Sequence, residues 1–272
     1  MNKTSQEKME QLRTLLREME RVLIAFSGGV DSAFLLKVAT QELDDQALAV
    51  TAASPFFPNW ERKEAEELAQ AIGANYRIIN ISEEEIQDFA HNPPDRCYHC
   101  KRMVFNKFLA LAKEEGIDYV LDGTNFDDLK DYRPGMVALG ELGIRSPLKE
   151  VGLTKEEIRI LSKELGLPTW DKPSFACLVS RLPYGSKITK EKLMQIDKGE
   201  ELLRSLGLKQ FRLRHHGEIA RLEVGPEQFP LVWANSEKIL AGLKGQGFTY
   251  VALDLEGYRT GSMNEALKEA IK

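Results

Sequence analysis

The chain has 272 residues, of which 43% are hydrophobic and 29% charged, and a formal net charge of −5. Those values suit a globular protein built as one large domain or as a domain with a smaller companion, and they argue against broad binding to a nucleic-acid backbone. No apolar run approaches the roughly 18 residues of a membrane span and the N-terminal stretch has no secretory apolar core, so no membrane contact and a cytoplasmic location are expected.

The charge is uneven. Residues 187–272 carry 14 Lys/Arg against 12 Asp/Glu, whereas the remainder carries 23 against 30. The C-terminal part is therefore expected to meet an anionic substrate.

Met9, Leu12, Leu15, Leu16 and Met19 recur at helical spacing, which predicts an amphipathic helix over 5–20. A strand over 22–26 and a helix over about 32–42 follow, then a short buried strand over 47–51. Pro55 and Pro58 interrupt the chain before a helix over 60–72, which Gly73 ends. A third strand (76–81), a helix (83–89), a turn at His91-Asn92-Pro93-Pro94, a helix (102–115) and a fourth strand (119–123) come next. Thr154 and Glu157 have the spacing of a capping box for a helix that ends near Gly166. Strands alternating with helices predict an α/β fold with a mostly parallel sheet. Ligands of such sheets sit beyond the carboxyl ends of the strands, so the loops after residues 26, 51, 81 and 122 are expected to line one site. After about residue 186 the pattern becomes a smaller α+β unit: a helix (190–206), strands near 211–215 and 218–224, a helix near 226–243 and a strand near 248–255. This places domains at 1–186 and 187–272.

The loop between the first strand and helix reads Ser27-Gly28-Gly29-Val30-Asp31-Ser32. Two glycines open backbone conformations in which successive N–H groups converge on an anion, and the helix that follows adds unpaired N–H groups and its positive dipole end. Ser27 and Ser32 add hydroxyls. Asp31 is an acceptor in a phosphate site, as a metal ligand or as the partner of a nearby cation. The loop lacks the Gly-Lys-Ser/Thr ending of a P-loop and the spaced glycines of a dinucleotide fingerprint. Its plainer reading is a tight strand-to-helix turn.

Three cysteines form the second constellation: Cys97 and Cys100 in Arg96-Cys97-Tyr98-His99-Cys100-Lys101, and Cys177 far along the chain. An odd number favours metal, cluster or catalytic use over a disulfide framework. Zinc needs a fourth ligand, for which His99 is close but crowded. A thioredoxin-like pair lacks a strand before it. Three thiolates suit three irons of a 4Fe–4S cluster, with the fourth open to sulfide. Cys177, between Ala176 and Leu178, also reads as a small core residue.

The six-residue loop resembles the PP-loop of ATP pyrophosphatases, which have the adenine nucleotide α-hydrolase type of fold and cleave ATP between the α and β phosphates. Taken with Asp122-Gly123-Thr124-Asn125-Phe126-Asp127-Asp128, Tyr132-Arg133-Pro134-Gly135, Arg145-Ser146-Pro147-Leu148, Cys177-Leu178-Val179-Ser180-Arg181, Arg212-Leu213-Arg214 and Gly257-Tyr258-Arg259-Thr260-Gly261-Ser262-Met263-Asn264, the chain resembles the LarE family over nearly its whole length. The resemblance implies ATP-dependent sulfur transfer to pyridinium-3,5-biscarboxylic acid mononucleotide through an acyl-adenylate, giving the thiocarboxylate precursor of the nickel-pincer nucleotide cofactor of lactate racemase. It assigns Ser27, Gly28, Gly29, Val30, Asp31, Ser32, Gly123 and Thr124 to ATP and pyrophosphate, and Ser180, Arg181, Arg212 and Arg214 to the substrate phosphate. Magnesium is placed near Asp31, and Asp128, Glu200 and Glu223 are candidate metal contacts. Single-cysteine members of the family give up the sulfur at the position of Cys177. The additional Cys97 and Cys100 point instead to the branch whose 4Fe–4S cluster carries the sulfide. A sulfide source is then needed, and a homo-oligomer, with a hexamer among its forms, is implied; the apolar faces of the terminal helices are candidates for that contact.

Plainer roles compete. Arg212 and Arg214 share one face of their strand, which reads equally as a solvated face. Arg181 reads as surface ion pairing, the acids as exposed helix residues, and Trp60, Trp170 and Trp233 as packing. Among functions, a PP-loop tRNA thiolase shares the chemistry but needs a basic surface. An amidotransferase-like synthetase leaves the cysteines unexplained. A nucleotide-binding regulator with a structural metal fits a degraded loop, and this loop is intact.

Overall fold

A computed structural model describes residues 4–54, 56–82, 84–130, 134–173, 176–259 and 261–264. Two compact units emerge. The first comprises Met1–Ser54, Asn59–Ile86 and Asp95–Ser174, and the second Pro55–Pro58, Gln87–Pro94 and Phe175–Lys272.

The first unit opens with helix α1 (Ser5–Met19), whose Thr4 and Glu7 form a capping box. Its apolar residues Met9, Leu12, Leu16 and Met19 are buried in the core of the same unit. That corrects the expectation for the N-terminal helix, because its apolar face is already covered within the chain. Strand β1 (Val22–Ala25), helix α2 (Val30–Leu43), strand β2 (Ala47–Ala53), helix α3 (Asn59–Ile72) and strand β3 (Asn75–Asn80) follow. Next come helix α4 (Arg96–Glu114), strand β4 (Tyr119–Leu121) and helices α5 (Pro134–Glu141), α6 (Pro147–Glu150) and α7 (Lys155–Glu164). The four strands form one parallel sheet in the order β3-β2-β1-β4, with Val22 level with Ala47 and Tyr119. Leu23 and Ile24, adjacent on β1, fall in different apolar clusters, as a strand covered on both faces requires.

The second unit contains helix α8 (Lys190–Ser205), strands β5 (Phe211–His216) and β6 (Ile219–Val224), helices α9 (Phe229–Ala234) and α10 (Ser236–Gly245), and strand β7 (Tyr250–Leu253). Strands β5 and β6 are antiparallel and β6 and β7 parallel, around a core that includes Leu203, Leu213, Leu222 and Leu243.

Several elements differ from the sequence expectation. Helix α4 starts six residues before 102, at Arg96, immediately after Pro93-Pro94-Asp95, so Cys97 and Cys100 lie in its opening turns. Residues Glu84–Phe89 form a 3-10 helix; Glu83 lies outside the described residues. The helix expected near 226–243 is broken into a 3-10 turn (Pro226–Gln228), α9 and α10. Asn235 causes the second break, since its side chain donates to Leu231 O at 3.0 Å and competes with the helical ladder. Helices α5 and α6 were not foreseen; each begins at a proline, a residue suited to a helix start. Tyr132, Arg133, Ser174, Phe175, Pro55, Thr260 and the terminal stretch 265–272 lie outside the described residues.

Candidate functional site

In the first unit the phosphate loop leaves β1 and enters α2 with Gly29 as the N-cap. Gly28 has φ +69°, and a Cβ there would lie 2.9 Å from Ala65 Cβ on α3. Glycine is therefore required at this position twice, by the backbone and by the neighbouring helix. Gly29 is different: its φ is −80°, and an added Cβ would meet only Ser27 Oγ at 3.4 Å. The expectation that both glycines need special conformations is corrected to one.

The two serines hold the loop to itself. Ser32 Oγ lies 3.1 Å from Ser27 Oγ, donates to Gly29 O at 3.2 Å and accepts from Ser27 N at 3.3 Å. Val30 and Ser32 are buried. Asp31 pairs with Lys155 Nζ at 2.5 Å and accepts from Asn125 Nδ2 at 3.4 Å. Of its two expected roles, the structure displays the cation partner.

The loop after β4 comes close to the start of α2. A Cβ on Gly123 would stand 3.0 Å from Ser32 N, so this glycine lets the two loops approach. The Thr124 hydroxyl donates to the buried Asp122 carboxylate, which also accepts from Ser146 Oγ at 2.6 Å. Asp128 accepts from Asn125 N at 3.1 Å and Asp127 from Lys155 N at 2.9 Å, so both carboxylates shape the turn. From β2, Thr51 Oγ1 donates to Phe26 O at 2.6 Å. The carboxyl ends of β1, β2 and β4 thus meet, as expected of a parallel sheet.

Two lysines at this loop gave no signal in the sequence. Lys155 is one; Lys172 is the other, donating to Gly28 O at 3.2 Å and pairing with Glu64 at 3.1 Å. Its ammonium lies 5.9 Å from the centroid of the Trp60 ring, so that indole also faces the loop's cation. These lysines sit more than a hundred residues beyond the loop, and the capping box beside Lys155 announces a helix start, not a cation at the loop.

Cys97 is exposed and Cys100 half-buried. Their three-residue spacing on α4 puts both thiols on one side of the helix. Arg96 reaches Cys97 Sγ at 4.0 Å, and His99 pairs with Asp95 at 3.2 Å. Among the described residues no group of three or more His, Cys, Asp or Glu side chains is gathered as metal ligands.

The second unit holds the remaining candidates. Cys177, half-buried, caps a 3-10 turn (Leu178–Arg181). Arg181 is fully buried and meets both oxygens of Glu200 at 2.8 Å. Arg214 donates to Ser180 O at 2.9 Å, to Glu223 at 2.7 Å and to Ser262 Oγ at 2.9 Å. Ser262 in turn donates to Glu223 at 3.0 Å, and Arg221 reaches the same carboxylate at 2.8 Å. Arg212 is buried with its guanidinium 5.0 Å from the Tyr258 ring centroid. Burial first, then the neighbouring Arg181 charge, pulls Arg212 below the usual arginine value.

The plainer readings of these residues fail. Arg212 and Arg214 occupy a covered face of β5, Arg181 is no surface residue, and Glu200 and Glu223 are 3% and 0% exposed, the latter on a strand. Among the described residues, three buried guanidiniums lie with two buried carboxylates, and Arg214 Nε is buried without a hydrogen-bond partner. A buried guanidinium with an unanswered donor is suited to an anion. Glu200 and Glu223, put forward as metal contacts, are engaged by arginines here.

Comparison with known proteins places the chain among relatives. The asparagine synthase family matches residues 9–127. An uncharacterised protein of Synechocystis sp. is 44% identical over 96% of this chain and 98% of its own length. The pyridinium-3,5-bisthiocarboxylic acid mononucleotide synthase of Lactiplantibacillus plantarum is 38% identical over 94% of this chain and 93% of its own. The tRNA-specific 2-thiouridylase of Thermus thermophilus is 32% identical, over 57% of this chain and 53% of its own.

Proposed function

The chain belongs to the LarE family of PP-loop, ATP-dependent sulfurtransferases, and from that premise we propose that it converts carboxylates of pyridinium-3,5-biscarboxylic acid mononucleotide into thiocarboxylates, supplying the precursor of a nickel-pincer nucleotide. The observation that carries the reading is the turn 177–181. Cys177 heads it, and its other end is wired through Ser180 O to Arg214, whose Nε has no partner among the described residues. A thiol and an anion-ready guanidinium are thus held by one short segment. Residues 1–186 activate the substrate, and 187–272 recognise it together with Ser180.

A carboxylate is a poor acyl donor because its oxygen leaves badly. Its oxygen attacks the α-phosphorus of ATP, the α–β bridging bond breaks, and pyrophosphate departs into the N–H groups of the Gly28-Gly29 loop and α2. Lys172 and Lys155 lie beside that loop to balance the charge. A hydrosulfide then adds to the acyl carbon, the bond to the AMP oxygen breaks with its electron pair, and loss of the sulfur's proton leaves the thiocarboxylate. Where the Cys177 thiolate attacks instead, the product is a thioester, and loss of the Cys177 α-proton breaks its Cβ–S bond to release the thiocarboxylate and leave dehydroalanine. Ser180, Arg212 and Arg214 hold the substrate phosphate.

Asp31 offers the oxygen ligand that magnesium prefers, and the metal would offset phosphate charge there. Cys97, Cys100 and Cys177 are outside any disulfide and have some exposure, a donor set that suits iron. A 4Fe–4S cluster bound by them would supply transferable sulfide. We further assign the chain a cytoplasmic location, a separate sulfide donor and a homo-oligomeric state.

The test is anaerobic reconstitution followed by turnover with ATP and the biscarboxylate nucleotide. Expected are pyrophosphate release, about one cluster per chain and loss of its absorption in Cys97→Ala. Uptake of no iron together with loss of H₂S mass at Cys177 means that this residue sacrifices its own sulfur. A tRNA that shifts on binding and gains sulfur supports the thiolase reading.

A further inference from the structure

The hydrogen bonds of Arg181 describe a residue that acts on its neighbour's backbone. Nε and Nη2 meet the two Glu200 oxygens at 2.8 Å each. Nη1 donates to the carbonyls of Ala176 and Cys177, the latter at 3.0 Å, and to Ser180 Oγ at 3.0 Å. Glu200 Oε1 also accepts from Leu213 N at 3.1 Å. One fully buried guanidinium therefore ties the main chain at Cys177 to helix α8 through Glu200, and through Glu200 to strand β5. Turning this guanidinium toward a substrate phosphate would strand Glu200 in dry surroundings, a costly exchange.

We propose that Arg181 and Glu200 form a buried clamp that sets the position of the Cys177 sulfur. Arg181 is a positioning residue working through the Cys177 main chain, and Glu200 is its anchor; neither contacts phosphate or metal. The relevance of the clamp to catalysis rests on the reading of Cys177 as a sulfur-handling residue. The clamp uses the fork geometry of arginine, two parallel N–H groups on one carboxylate with the third arm on carbonyls. Lysine keeps the charge but cannot make that fork.

The experiment uses the full chain, reduced and free of substrate. Alkylation of Cys177 by iodoacetamide is followed by peptide mass spectrometry in wild type, Arg181→Lys and Glu200→Gln, with Cys97 and Cys100 as internal references in the other unit. Both variants should shift the Cys177 rate measurably and leave the two reference rates unchanged. The kcat for sulfur transfer should fall, with the KM for the pyridinium nucleotide near wild type. Wild-type labelling of Cys177 in either folded variant overturns the clamp, as does Arg181→Lys raising KM alone. Native hydrogen-exchange protection at Leu213 and Leu222 identifies the folded variants, and the near-isosteric Glu200→Gln decides the matter if Arg181→Lys does not fold. If the labelling shifts as expected while Cys177→Ala retains sulfur transfer, the clamp stands and the sulfur-handling role of Cys177 falls.

Discussion

The phosphate loop and the arginine cluster are both prepared for anions, by opposite means. The loop presents neutral main-chain dipoles, and its nearby lysines rest on Asp31 and Glu64. The arginine cluster presents fixed charge in a dry setting, and two carboxylates accompany it there. Dipoles cost little to leave without a ligand, because water can answer exposed N–H groups. Buried guanidiniums need permanent counterions. On the proposed reading, a loop that releases pyrophosphate and a cluster that holds a nucleotide through two reaction stages are thus built from different materials.

The comparison breaks most sharply at Cys177. Cys177→Ala should abolish thiocarboxylate formation while pyrophosphate release with the biscarboxylate nucleotide continues; single-turnover assays of both products check it. Next in size is Glu223→Ala, which leaves Arg214 and Arg221 without their shared carboxylate. A loss of about 3–5 kcal/mol is expected, read from urea melts, with hydrogen exchange placing the damage in the second unit. Gly28→Ala should cost about 1–2 kcal/mol for its left-handed backbone, and more from the contact with Ala65. It should raise the KM for ATP and leave pyridinium nucleotide affinity unchanged. Lys172→Ala should be milder, about a tenfold rise in the KM for ATP, the scale of one lost charge-assisted hydrogen bond.

The smallest effect concerns pH. Burial lowers the proton affinity of His215 and His216. As pH falls, the unfolded chain therefore takes up these protons first. The stabilisation is fully present above the ordinary histidine value of 6.5 and is lost as pH drops through it toward the lower folded values. His215→Gln should flatten the dependence of second-unit stability on pH between 7 and 5, measured by thermal melts.

Much of the first unit was legible because its signals are local. The strand-to-helix glycine turn, the Thr154–Glu157 capping box and the alternation of strands and helices all depend on residues close in sequence. What stayed hidden depends on distant partners. Nothing near Lys172 announces that its ammonium reaches Gly28, and nothing near Arg214 announces Ser262. Alternation on β5 put Arg212 and Arg214 on one face, but not that this face is covered. Burial of charge is a property of what packs above a strand, and strand periodicity does not carry it. The start of α4 was missed because Cys, Tyr and His are indifferent helix formers, and the polar stretch around them reads as a loop.

Ser262 gives the far end of the chain an unexpected weight. Its hydroxyl answers both a guanidinium and a carboxylate in the dry cluster. A chain clipped just before it leaves an N–H of Arg214 unanswered in the interior and removes one of the two donors to a Glu223 oxygen, which then keeps only Arg221. Trimming or tagging this end for expression is therefore an intervention at the buried arginine cluster itself, and an inactive clipped protein would say nothing about Cys177.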